Sequence, residues 1–206
     1  MTAILIETSS KSAGIALCKN GELIAQRPLA GDSTLSKIIF LSIQDLIREC
    51  DLDLRQLTYI GLGIGPGSYT GTRVGATIAK TLSFALNIPI ISFSSPLAFL
   101  SFEEGTFASL LERKGGDYFT ILGEKRGGSL YSIFPHKYVP ASALASELEG
   151  VSFVICESDL NLCAKHIKPT LHLASLAPYI HAKWQKKEYD SEEGTDLLYF
   201  NPLIFN

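Results

Sequence analysis

The stretch Gly63-Ile64-Gly65-Pro66-Gly67-Ser68-Tyr69-Thr70-Gly71-Thr72-Arg73-Val74-Gly75 puts five glycines into thirteen positions. An apolar run, residues 58–64, leads into it, and a helical pattern over 70–86 begins within it. At such a joint, backbone N–H groups and the start of a helix can hold an anion. The phosphate motifs themselves are absent. No lysine completes a GxxxxGK[ST] loop. Thr70 stands where a GxGxxG reading from Gly65 needs glycine, and Ser68 stands there in the reading from Gly63. The same glycines would also serve a tight turn and close packing. Both readings stay open on the sequence.

Other chemistry is thinly supplied. The histidines, His136, His166, His172 and His181, form no HxxxH, HExxH or HxH pair, so no metal site is expected. The cysteines, Cys18, Cys50, Cys156 and Cys163, contain no CxxC and read as small core residues. Ser68 lies in no GxSxG elbow, and no catalytic residue is assigned.

The elements that must position these residues follow from periodicity. Residues 3–7, AILIE, suit a buried strand. Residues 13–18 and 22–27 flank Asn20-Gly21, a hairpin signal, so the chain opens on a three-strand meander. A helix over 33–50, capped by Asp32 or Ser33, places Leu35, Ile39, Phe40, Ile43, Leu46, Ile47 and Cys50 on an arc of roughly 140°. Ile38 and Leu41 fall outside that arc and extend its apolar surface. In the helix over 70–86, Gly71, Gly75 and Ala79 make a row of small residues that permits close approach of another helix. After Pro89 comes a short strand, then a short helix over 96–101. The second half reads as strands near 118–123 and 129–134, a helix near 140–148, a strand at 151–155, a helix near 158–166, a strand near 170–173 and a helix near 174–187. The polar segments around residue 102 suggest a division into 1–101 and 102–206, each an α/β lobe.

Composition narrows the classes. Of 206 residues, 46% are hydrophobic and 19% charged, which fits a folded globular protein. A net charge of −3 argues against tight unaided binding of nucleic acid. No apolar run reaches the roughly 18 residues that cross a bilayer. The opening MTAILIETSS has no basic region ahead of its apolar run. A cytoplasmic location is expected.

The segments ILIETSS, GIGPGSYTGTRVG, AKTLSFALNIPIISFSSPLAF and ILGEKRGGSLYSIF together resemble the TsaB (YeaZ) family, strongly over residues 3–100 and less so over 118–135. The resemblance implies an ASKHA (actin/Hsp70/sugar-kinase-like) fold of two related lobes with mixed sheets. It implies a non-catalytic scaffold for threonylcarbamoylation of adenosine 37 in tRNA. The expected partners are a TsaD-like catalytic subunit, a TsaE-like ATPase, tRNA through the complex, and a second copy when the chain is alone. It also implies that the helix after the glycine loop helps build a subunit interface; Ile38 and Leu41, outside the first helix's arc, and the small row Gly71, Gly75 and Ala79 are expected to form it. In ASKHA kinases the turn after the first strand meets phosphate and Mg²⁺. Here that turn is Glu7-Thr8-Ser9-Ser10, where relatives carry Asp-Thr-Ser. Its hydroxyls could bond phosphate oxygens and Glu7 could hold Mg²⁺ through water. Weak ATP or ADP binding is therefore an expectation, with no cofactor required. The alternative from another class is a small stand-alone ASKHA-type ATPase or kinase-like enzyme.

Overall fold

The structure, a computed structural model, describes residues 1–10, 12–29, 35–100, 103–113, 116–158, 160, 164–190 and 196–198. Strands β1 (Thr2–Glu7), β2 (Gly14–Lys19) and β3 (Glu22–Pro28) form the antiparallel meander. Asn20 and Gly21 make its first turn with φ of 54° and 82°, the left-handed pair that an Asn-Gly hairpin supplies. β4 (Leu57–Gly63) then pairs parallel with β1, and β5 (Ile90–Phe93) parallel with β4. The resulting order is β3-β2-β1-β4-β5.

The chain repeats this plan. β6 (Gly105–Glu112), β7 (Asp117–Arg126) and β8 (Ser129–Ile133) run antiparallel in turn; β10 (Phe153–Ile155) pairs parallel with β6, and β11 (Lys165–Ile167) with β10. Read from the other edge, the order is β8-β7-β6-β10-β11, and β9 (Lys137–Pro140) pairs with β7 beside β8.

Side chains alternate across a strand, so an unbroken apolar strand needs cover on both faces. In β1, Ile4 and Ile6 face one core and Ala3 and Leu5 another. The first core is closed by α1 (Leu35–Glu49), through Ile39, Ile43, Leu46 and Ile47, and by α2 (Tyr69–Leu86), through Ala76, Ala79 and Leu82. The second is closed by α4 (Leu173–Gln185), whose Leu173, Leu176, Ala177 and Ile180 also meet Phe107, Phe119, Phe153 and Ile155 of the second sheet. α4 thus joins the two sheets through one apolar core, although it lies far along the chain from the first sheet. A third cluster packs the short α3 (Leu144–Glu147) on the outer face of the second sheet.

Several sequence expectations change here. β6 was not expected: its Phe107, Ala108, Ser109 and Leu110 are buried in succession in mid-sheet, where no alternation marks a strand. Nor was β9. The end of the helix expected near 158–166 instead belongs to β11 (Lys165–Ile167), because parallel pairing with β10 outweighs local preference in so short a segment. Residues 170–172 are irregular and Leu173 already begins α4, so no strand runs over 170–173. The short helix expected over 96–101 is a 3-10 segment, Ser95–Phe99. The caps expected at Asp32 or Ser33 lie outside the described residues.

Candidate functional site

β1 ends at Glu7, and the turn after it is packed against the glycine stretch. A Cβ added to Gly63 would lie closer than 3.0 Å to the Glu7 carboxylate; at Gly67 it would meet the Ser9 carbonyl, at Gly71 the Thr8 carbonyl and at Gly75 the Thr8 hydroxyl, each closer than 3.0 Å. These four glycines, at every fourth position, let the end of β4 and the first turns of α2 lie directly on the first-strand turn. The Ser68 N–H donates to the Ser9 carbonyl at 2.6 Å, and the Ser68 hydroxyl caps α2 by accepting from the Gly71 N–H at 3.2 Å.

This packing buries polar atoms. Glu7 and Thr8 are inaccessible to solvent. Glu7 Oε1 accepts from both the N–H and the hydroxyl of Ser9 at 2.6 Å. Burial pushes the Glu7 carboxyl above its ordinary value, and the Ser9 and Ser95 hydroxyls and the Ser9 N–H draw it only partly back. Oε2 makes no hydrogen bond of acceptable geometry, and neither does the Thr8 hydroxyl.

Beside the turn lies a cavity of about 540 Å³ between the two sheets. Hydroxyls come from Ser9, Ser10, Ser12, Ser68, Ser95 and Ser109, and apolar walls from Phe99, Leu110, Ile155 and three prolines. Glu157 supplies the one charge among the described lining residues. Of the four turn residues picked out in the sequence, Ser9 and Ser10 reach this cavity, while Glu7 and Thr8 do not line it. Glu7 is therefore not placed to hold a Mg²⁺ ion there. Ser95 and Ser109 went unnoticed; neither lies in a motif, and only the meeting of the two sheets brings them together. Among the described residues no cluster of three His, Cys, Asp or Glu is arranged to hold a metal.

A second surface lies on the outside of α1 and α2. Leu41 is 60% exposed and Phe40 42%, beside Tyr69 at 55% and Phe84 at 92%. The Arg73 guanidinium sits 3.9 Å from the centre of the Tyr69 ring. A shallow groove between the helices is lined by Ser36, Tyr69, Thr70, Arg73, Val74, Thr77 and Ile78.

This corrects the interface read from the sequence. Gly71, Gly75 and Ala79 face inward: the two glycines lie on Thr8, and Ala79 is fully buried against the sheet. A row of small residues permits close approach, and here the approaching group is the chain's own first-strand turn. Ile38 is half-buried against the same core, whereas Phe40, expected on the buried arc, points outward. Phe84 was missed. It continues the exposed row Arg73, Thr77, Lys80 and Thr81 at helical spacing, so an aromatic on a polar stripe was the available signal.

Comparison with known proteins follows the same geometry. The family model for TsaD, tRNA N6-adenosine threonylcarbamoyltransferase, matches residues 27–103. The tRNA threonylcarbamoyladenosine biosynthesis protein TsaB of Bacillus subtilis is 33% identical over 143 residues, 68% of this chain and 62% of that protein. TsaB of Haemophilus influenzae is 29% identical over 159 residues, 74% of this chain and 67% of that protein. YeaZ from Pseudomonas aeruginosa superposes with a TM-score of 0.80 at 18% identity, over 96% of this chain and 99% of that one, and so shares the fold. The repeated five-strand plan is that of an ASKHA-like protein of two related lobes, and the chain is similar to the TsaB (YeaZ) family, spanning 62% of the Bacillus subtilis relative's own length.

Proposed function

We propose that the chain is a non-catalytic accessory subunit for threonylcarbamoylation of adenosine 37 in tRNA, and that it docks on a TsaD-like catalytic subunit through the outer surface of α1 and α2. The observation that carries this reading is the run of exposed apolar and aromatic side chains on those helices, ending in Phe84 at 92% exposure. A soluble chain gains nothing by leaving a phenylalanine in water, whereas at a partner's surface such a side chain is an anchor. The two helices lie within residues 27–103, the unit matched by the TsaD family model, which supports a related protein as the partner. A second copy of the chain would use the same face when the partner is absent. A TsaE-like ATPase and tRNA would join through the complex, in the cytoplasm.

In this reading the serine-lined cavity binds ATP or ADP weakly, with Ser9, Ser10 and Ser68 as hydroxyl partners, and turns over neither. The test is co-purification with a TsaD-like protein from the same cell, followed by an assay of tRNA modification. Phe84→Asp should leave circular dichroism unchanged, weaken partner binding by about 30-fold, the factor for ~2 kcal/mol lost at an anchor, and reduce modification in step. Wild-type binding and modification by Phe84→Asp would remove the observation on which the reading stands.

A further inference from the structure

Beyond α4 the chain returns to the first sheet. The Asp190 N–H donates to the Ile90 carbonyl at 3.0 Å, and its carboxylate accepts the Ser92 N–H at 3.0 Å, so Asp190 covers the open edge of β5. Residues 196–198 then reach the glycine stretch. The Leu198 N–H donates to the Ile64 carbonyl at 2.8 Å. Its own carbonyl lies so close to Gly65, where φ is +94°, that a Cβ there would come closer than 3.0 Å. Leu197 packs on the core under α1 and α2, and its neighbour Leu198 on the core shared with α4.

The loop Gly65–Ser68 is therefore held on two sides. On one side the Gly65 N–H donates to the Ser95 hydroxyl at 2.9 Å, the Gly65 carbonyl accepts from the Ser95 N–H at 2.8 Å, and Ser68 is bonded to Ser9. On the other lie Leu197 and Leu198. The two holds differ in strength. Ser9 and Ser95 are buried, while both leucines are only half-buried and, among the described residues, Leu198 is tied by one backbone bond. Segments with few buried contacts open at low free-energy cost while the core stays closed. Pro66, Gly67 and Ser68 also wall the cavity, and Ser68 caps α2.

We propose that residues 196–198 are a releasable strap: clamped, they fix the glycine loop, one wall of the cavity and the start of α2; released, they free that loop while the five-stranded sheet stays folded. The inference is independent of what the chain docks on. Whatever draws Leu197 and Leu198 away would act on the cavity and on α2 at once.

The test is residue-resolved amide hydrogen exchange by NMR on the full chain, comparing wild type with Leu198→Pro, which removes the N–H bonded to Ile64. Exchange at Gly65 and Ser68 should rise tenfold or more, with less than a twofold change at Leu5 and Ile60 in the sheet. Unchanged exchange at Gly65 and Ser68 would overturn the proposal. So would an equal rise at all four, which would make the segment an inseparable part of the core. Should Leu198→Pro fail to fold, Leu198→Ala, which keeps the N–H and trims the side chain, is read by the same criterion with a threefold rise expected at the loop.

Discussion

Replacing Gly75 by alanine tests whether the row of small residues belongs to the chain's own core or to a partner. In an exposed helix interior this change stabilises by about 1 kcal/mol, because glycine costs that much relative to alanine. Here the new methyl would lie closer than 3.0 Å to the Thr8 hydroxyl oxygen, and overpacking of a filled core costs about 1–3 kcal/mol. The net expectation is destabilisation of up to about 2 kcal/mol. Thr8→Ala removes the obstructing oxygen and leaves the Thr8 Cβ at 3.4 Å from the new methyl, ordinary contact. That oxygen is buried without a hydrogen bond, so its removal also relieves the cost of an unsatisfied group. In the Thr8→Ala background, Gly75→Ala should therefore stabilise by about 1 kcal/mol. The double-mutant cycle should show a coupling of about 1–3 kcal/mol. Urea unfolding followed by the fluorescence of Trp184, the single tryptophan, measures all four proteins; with a slope near ~2 kcal/mol per M, the expected shifts are about 0.5–1 M in midpoint. Zero coupling would refute the packing argument. Loss of partner binding in a Gly75→Ala protein of unaltered stability would return the row to an interface.

Three other outcomes follow from the same structure. The raised Glu7 carboxyl contributes stability in full below its ordinary value of 4.5 and loses it as pH climbs toward the folded value, by about 1.4 kcal/mol per pH unit in that window. Glu7→Gln lacks this loss, so the variant should gain on wild type as pH rises from 4 to 7 in parallel urea titrations; a constant difference would contradict the assignment. Ala79→Arg puts a cation into a fully buried site and should abolish cooperative unfolding by circular dichroism, whereas a folded variant would show that position 79 can face outward. Leu41→Asp should keep wild-type stability within about 0.5 kcal/mol, as for exposed positions in general, and weaken capture of a TsaD-like partner in a pull-down; unimpaired capture would confine the docking surface to α2.

The sequence carried the first sheet almost whole because its signals are local and strong. β1 is apolar on both faces, Asn20-Gly21 makes the one turn that suits it, and α2 stops at Asn87 in the left-handed conformation. In the second sheet the signals are short or contradictory. β6 begins at Gly105, after Glu103-Glu104, and ends in Leu-Leu-Glu, a pattern equally at home in a helix. β10 falls inside the strand expected at 151–155, but β11 is only three residues, too short for any period to show, and exists through its pairing with β10. α1 shows the limit of a helical wheel. Phe40 and Leu41 are both exposed, yet only Leu41 falls outside the apolar arc, because the arc gives an average direction and the sheet decides which edge of it is covered.

The site was legible as a place and not as an arrangement. Both stretches that stood out, the first-strand turn and the glycine loop, prove to be neighbours, which no spacing within either could show. Their contact decides what each can do. Glycines at 63, 67, 71 and 75 admit the turn so closely that Glu7 is sealed from water, with Ser9 on one carboxyl oxygen and nothing well placed on the other. A carboxyl sealed from water and absent from the cavity lining cannot reach a hydrated divalent cation held there. The same glycines that suggest a phosphate cradle in the sequence thus remove the carboxylate such a cradle would need. What they leave at the cavity are serine hydroxyls and the capped start of a helix. The loop's stronger consequence is mechanical: it fixes α2 on β1 at a set distance, and so fixes the outward face on which Tyr69 and Phe84 stand.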